Sequence, residues 1–162
     1  MINSDGMEEI KQLFFEESDE GLDTMETGLL NLQPGTADME VINNIFRAAH
    51  SIKGGSATFG FSTIAEFTHG VETILDEMRS GTRAVSSDVV DLLLKSVDCL
   101  RELMDAAKSG VDESTAKAND VGEQIAKLLD HSKSSKKTPP KATAAAPSQG
   151  SATPPRAPPA RR

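Results

Sequence analysis

The chain is expected to fold as an all-α, antiparallel up-down four-helix bundle with a fifth C-terminal helix and a disordered tail. Three observations predict this. Five stretches repeat their apolar residues at about 100° per residue, and none alternates as a strand over any length. Short breaks marked by Gly or Pro separate the helical stretches, which favours antiparallel neighbours. Residues 132–162 hold seven of the eight prolines, seven Lys or Arg and no acid, a composition with almost nothing to bury. The 162 residues therefore divide into a helical domain over 1–131 and a Pro/Ala-rich linker over 132–162.

The first helix, over about 7–32, puts Ile10, Phe14, Met25, Leu29 and Leu32 on one side and Glu8, Glu9, Glu16, Glu17, Asp19 and Glu20 on an acidic face. Pro34-Gly35 stops it. The second, over about 38–59, carries Ile42, Ile45, Phe46, Ala49, Ile52 and Phe59 as one stripe and closes near Gly60. Ser62 or Thr63 can cap a third helix reaching Arg79, which buries Ile64, Phe67, Val71, Ile74, Leu75 and Met78 and ends at Gly81. Ser86 or Ser87 opens a fourth over about 87–108, with Val90, Leu93, Leu94, Val97, Leu100, Leu103 and Met104 as the fullest apolar face. Gly110 ends it. A fifth and weaker helix, over about 114–130, has Val121, Ile125, Leu128 and Leu129 to lay against the side of the bundle.

Charge narrows the function classes. Without the tail, positions 1–131 hold 10 basic and 25 acidic residues, a formal charge of −15 against −8 for the whole chain. Phosphate backbones need a basic surface, so this field argues against nucleic acid as a partner. No apolar run approaches the roughly 18 residues of a membrane span, and the N-terminus lacks the basic-then-apolar order of a signal peptide, so a cytoplasmic chain without membrane insertion is expected. Cys99 is the sole cysteine; set between Val97 and Leu100, it reads as a core filler.

The run from His50 to Phe61, HSIKGGSATFGF, is the most informative stretch. On the wheel of the second helix His50 lies roughly 120° from the centre of the apolar stripe, so its imidazole is tethered on the flank and reachable. Gly54 follows one turn later on the same side. Each glycine inside a helix costs about 1 kcal/mol relative to alanine, so the pair Gly54-Gly55 implies a compensation. Clearance for another protein's active site beside the imidazole is one. Lys53, three residues after His50, can offer an ammonium to an anion. Neutral imidazole is a nucleophile near pH 7 and can take a phosphoryl group and pass it on. Singly, each part has a plainer reading: a surface histidine, a solvated lysine, a glycine turn. Their joint placement on one amphipathic helix favours the chemical one.

If the second and third helices turn at about residues 60–61, the position level with His50 is Glu72. Its carboxylate could accept the Nδ1 proton, fix the tautomer and leave Nε2 free to attack phosphorus. Pairing of Glu72 with a surface Lys or Arg stays open at this level. His69, one turn earlier, points further from the stripe. Read as zinc ligands, His50, His69 and Glu72 lack firm inward-facing tetrahedral spacing, and no cysteine supports them, so no metal site is expected.

His50 to Phe61, followed by His69-x-x-Glu72, resembles the histidine phosphotransfer (HPt) domain of chemotaxis histidine kinases of the CheA family. The opening Phe15-Glu16-Glu17, with Met25-Glu26 and Leu29-Leu30, resembles that domain's first helix, and the likeness covers about residues 7–130. The resemblance implies that His50 receives the γ-phosphoryl of ATP from a separate ATP-binding kinase domain and passes it to an aspartate of a CheY- or CheB-type response regulator. It also implies that Lys53, His69 and Glu72 form the hydrogen-bonding set around His50. ATP and Mg²⁺ then belong to the partner domains, and this chain carries no cofactor and no ATP site of its own. The tail, ending in Arg161-Arg162, reads as a linker to further domains. A free-standing phosphorelay protein, or a helical adaptor whose groove takes a partner helix, are the competing readings.

Overall fold

The computed structural model describes residues 4–111 and 116–136, with side chains through His131. Five helices follow in order: α1 Ser4–Asn31, α2 Met39–Thr58, α3 Ser62–Arg79, α4 Ser87–Lys108 and α5 Ala116–Lys136. Helix α1 packs on α2 and α4, and α3 packs on the same two, so the first four close into a ring, while α5 lies against α3 and α4. The expected all-α bundle with an appended fifth helix is the architecture found. Among the described residues, no helix is long and apolar enough to cross a membrane.

Helix ends follow local chemistry at most positions. The Asp38 carboxylate accepts from the amides of Glu40 and Val41 at 3.2 and 3.3 Å, satisfying two of the amides that a helix start leaves unpaired. The Ser86 hydroxyl does the same for Val89 at 3.3 Å. Gly60 and Gly81 end α2 and α3 with φ of 81° and 79°, a left-handed backbone that glycine takes without strain.

The start of α3 differs from expectation. Neither Ser62 nor Thr63 caps it; Phe61 is the N-cap and supplies no side-chain hydrogen bond. Tertiary packing holds the corner instead. The ring of Phe61 lies 5.5 Å from Phe15 and 6.2 Å from Phe14, and the Phe61 amide donates to the Ser56 carbonyl at 2.8 Å. Four phenylalanines, Phe14, Phe15, Phe59 and Phe61, thus plug one end of the bundle.

The core runs the length of the ring, with Leu22, Met25, Leu29, Ile42, Ile45, Ile52, Ile74 and Leu100 essentially sealed from water. Several expected core residues do not join it. Ile10 is 47% exposed, and Phe46, Phe59, Phe67 and Leu94 sit half-buried at its edge. Cys99 is a core filler, and burial pushes its thiol pKa up. The acidic face of α1 is tied to α4: Arg101 bonds Asp23 and Glu26 at 2.7 and 2.8 Å, and Lys108 reaches Asp19 at 2.6 Å. Such exposed pairs set register more than they add stability.

Helix α5 runs to Lys136, past the end expected at about residue 130, since no proline falls between Pro34 and Pro139 and lysines favour a helix C-terminal end. The Pro/Ala-rich segment that follows, and residues 114–115 of the expected fifth helix, lie outside the described residues.

Two glycines of α1 face α2 under different constraints. A Cβ at Gly21 would sit 3.6 Å from Ile52, an ordinary contact, whereas one at Gly28 would come within 2.7 Å of the Ile45 side chain. Gly21→Ala should therefore raise Tm by recovering helix propensity of about 1 kcal/mol. Gly28→Ala should lower it, because overpacking costs about 1–3 kcal/mol against that gain. Thermal melts of the two variants beside the parent chain check the contrast, and equal shifts would contradict the packing described.

Candidate functional site

His50 stands on α2 with its side chain 62% exposed, while Glu72 on α3 is only 13% exposed. The tight turn at residues 59–61 sets the two helices side by side, so that these residues, 22 apart in sequence, come level. His50 Nδ1 lies 3.0 Å from Glu72 Oε1. Lys53 Nζ lies 2.6 Å from the other carboxylate oxygen, Oε2. That second contact is a charge pairing: Oε2 is buried and meets no donor in hydrogen-bond alignment. The ammonium expected to face an incoming anion is thus committed to Glu72.

The charge state of Glu72 fixes the rest. Burial pushes its pKa up, but Lys53 and His50 more than offset this and hold the carboxyl below its ordinary value. An ionised carboxylate only accepts hydrogen bonds. Nδ1 must therefore carry the proton, and the lone pair of the neutral ring sits on Nε2. A ring oriented by a carboxylate at one nitrogen and bearing a lone pair on the other is an activated nucleophile, and the same carboxylate stabilises positive charge that develops on the ring.

The two glycines of the motif separate. A Cβ on Gly54 would meet nothing within 4 Å, so this position is open space on the His50 side of α2. A Cβ on Gly55 would lie 2.3 Å from the ring of Phe14, so its hydrogen is what lets α1 approach α2. Of the two glycines expected to give clearance, only Gly54 borders open space, whereas Gly55 is packed against Phe14. Phe14, 41 residues before Gly55 and on another helix, gave no sequence signal for this.

His69 is exposed and makes no side-chain bond to His50, Lys53 or Glu72 among the described residues. Three residues before Glu72, it is turned about 60° around α3, and it lines a cleft between α3 and α5 with Phe67, Gly70 and Gly122. The site also includes a residue that the wheel had assigned to the core. The ring of Phe46, one helical turn before His50, lies nearly parallel to the imidazole, with centroids 6.1 Å apart and an 11° angle between planes. Its spacing of four from His50 was the available signal. Among the described residues, no three His, Cys, Asp or Glu side chains cluster closely enough to hold a metal ion.

Residues 9–110 match the Hpt domain family. Over 105 residues the chain is 47% identical to the chemotaxis protein CheA of Salmonella typhimurium, an alignment that covers 65% of this chain and 16% of that protein. It is 44% identical over 113 residues to the chemotaxis protein CheA of Rhizobium meliloti, covering 68% and 15%. The chain thus matches only a small part of these relatives' length. Among solved structures it is similar to the phosphorylated P1 domain of CheA3 in complex with CheY6 from R. sphaeroides, with a TM-score of 0.69, 27% identity and coverage of 76% of this chain and 97% of that one. It is also similar to the solution structure of the histidine phosphotransfer domain of CheA, with a TM-score of 0.65, 34% identity and coverage of 75% and 92%.

Gly54→Ala should stabilise α2 by about 1 kcal/mol through helix propensity. Gly55→Ala should destabilise the bundle, because the Phe14 ring must move. Denaturant midpoints of the two variants test the division of labour. A second outcome concerns pH. Because the folded-state pKa of Glu72 is lowered, its contribution to stability is present above the ordinary carboxylate value of about 4.3 and is lost as pH falls through the lowered value. The Tm difference between the parent and Glu72→Gln should be largest above that range and shrink below it. A difference that grows on acidification would contradict the charge state assigned.

Proposed function

The chain belongs to the Hpt domain family, and from that premise we propose that it is a phosphoryl carrier of a chemotaxis two-component system. His50 Nε2 attacks the γ-phosphorus of ATP held by a CheA-type kinase domain; the N–P bond forms as the bond to the ADP oxygen breaks, and ADP leaves. In the second half-reaction an aspartate of a CheY- or CheB-type response regulator attacks the same phosphorus. The N–P bond then breaks, and its electron pair returns to Nε2. The Nδ1 proton stays on the ring throughout, held against Glu72.

The single observation that carries this reading is the hydrogen bond of 3.0 Å from His50 Nδ1 to Glu72, on a ring otherwise open to solvent. It makes Nε2 the reacting atom and offsets the positive charge that builds when that nitrogen bonds phosphorus. ATP, Mg²⁺ and the acceptor carboxylate come from the partner domains, which supply the remaining electrostatic stabilisation of the transferring group. The open space over Gly54 supports this division, because the partner's site must close over His50. A cytoplasmic location, where ATP is supplied, fits this chemistry. That the relatives named CheA are far longer than this chain fits a carrier that works beside a kinase domain.

Incubation with γ-labelled ATP and a CheA-type kinase fragment tests the proposal. The parent chain should acquire an acid-labile, base-stable label that vanishes in His50→Gln. Glu72→Ala should remain folded and be labelled about 10–100-fold more slowly, as when the orienting partner of a functional histidine is removed. In a folded Gly54→Leu variant, transfer to the regulator should be blocked. Absence of label on the parent chain would favour a helical adaptor, and label taken from a phosphorylated receiver domain but not from the CheA-type kinase fragment would favour a free-standing relay.

A further inference from the structure

One hydrogen bond fixes a point, not a plane. With only Nδ1 tethered to Glu72, the His50 imidazole could still swing about that bond and carry Nε2 off the line of attack. The structure places a second contact on the ring. Phe46 lies one turn earlier on α2, its plane 11° from that of the imidazole and its centroid 6.1 Å away, within the range of offset aromatic pairs. Phe46 is itself held from the other helix: the Arg79 guanidinium sits 4.0 Å from its centroid, a cation–π contact. Arg79 is in turn fixed by Asp76, one turn before it on α3, at 2.7 Å. The contacts close a circuit of two rungs between α2 and α3, one through His50 and Glu72 and the other through Phe46 and Arg79.

We infer that Phe46, held by Arg79, is a positioning residue for phosphoryl transfer: it sets the plane of the His50 ring so that the carboxylate-bound tautomer presents Nε2 to the incoming phosphorus. The inference rests on the phosphotransfer reading only for its kinetic consequence. It accounts for a half-buried phenylalanine at a position where the apolar periodicity of α2 calls for core. Neither Phe46 nor Arg79 touches the phosphoryl group in this reading. Both act through the ring.

The test uses Phe46→Leu, which keeps an apolar side chain but removes the flat face, Phe46→Tyr, which restores the face, and Arg79→Gln, which removes the cation without entering the core. The first readout is the His50 tautomer, from nitrogen-15 spectra of the imidazole at pH about 8, where an ordinary imidazole is neutral. The second is phosphorylation by a CheA-type kinase fragment with ATP, resolved into kcat and KM. The expected result for Phe46→Leu is an unchanged helical melt, a shift of His50 from the Nδ1–H form toward a mixture, and kcat lowered about tenfold with KM unchanged, the pattern of a misplaced reacting atom. Phe46→Tyr should match the parent, and Arg79→Gln should fall between. An unaltered tautomer and kcat in a folded Phe46→Leu variant would overturn the inference, as would a rise in KM alone. If Phe46→Leu will not fold, Arg79→Gln decides by the same two readouts. Should the parent chain accept no phosphoryl group while Phe46→Leu still redistributes the tautomer, the positioning role stands and the phosphotransfer reading falls.

Discussion

The carboxylate of Glu72 is the constraint around which the site is organised. One of its oxygens meets the imidazole and the other meets an ammonium, and both of those groups come from the adjacent helix. Because Lys53 and His50 together outweigh the cost of partial burial, the carboxylate stays ionised, and because it is ionised it can only accept. The nitrogen that carries the ring's lone pair follows from that one charge. The same interaction fixes the register of the α2–α3 hairpin, since a slip of one residue along either helix would turn Glu72 away from His50 by about 100°.

The rest of the bundle serves this register. The phenylalanine plug at Phe14, Phe15, Phe59 and Phe61 closes the end of the bundle where α2 turns into α3, and it replaces a side-chain cap that the sequence offers but the fold does not use. Gly55 lets Phe14 reach that plug. On the far side of the ring, Arg101 and Lys108 hold α1 against α4, so the two helices that carry the site are backed by two that do not. Rigid elements with exposed functional tips are what transfer between proteins requires, because the reacting atom must be in place before the partner arrives.

The division of the glycine pair shows how residues adjacent in sequence can answer to different forces. Gly54 faces solvent beside the imidazole, and its lack of a side chain leaves room outside the molecule. Gly55, 100° further round the helix, faces inward and leaves room inside it. Lys53 shows a related shift. Its spacing from His50 suggested a cation displayed to an anion, whereas the Glu72 carboxylate of the adjacent helix takes that charge.

The sequence by itself determined the helices, the stops between them and the histidine on the flank, because periodicity, glycine and proline act over one or two turns and need no partner. It also reached Glu72, since a short turn makes the register of a helical hairpin countable. What only the tertiary structure decided were contacts whose partner lies far along the chain or whose direction depends on a neighbour. Phe14 explains Gly55, the aromatic plug stands where a cap was expected from Ser62 or Thr63, and Phe46 meets Arg79 and His50 at the edge of the core. His69 separates from the trio because three residues on a helix turn a side chain toward the cleft against α5. Local pattern specifies which face a residue occupies, while the energy of packing against a distant element decides what that face touches.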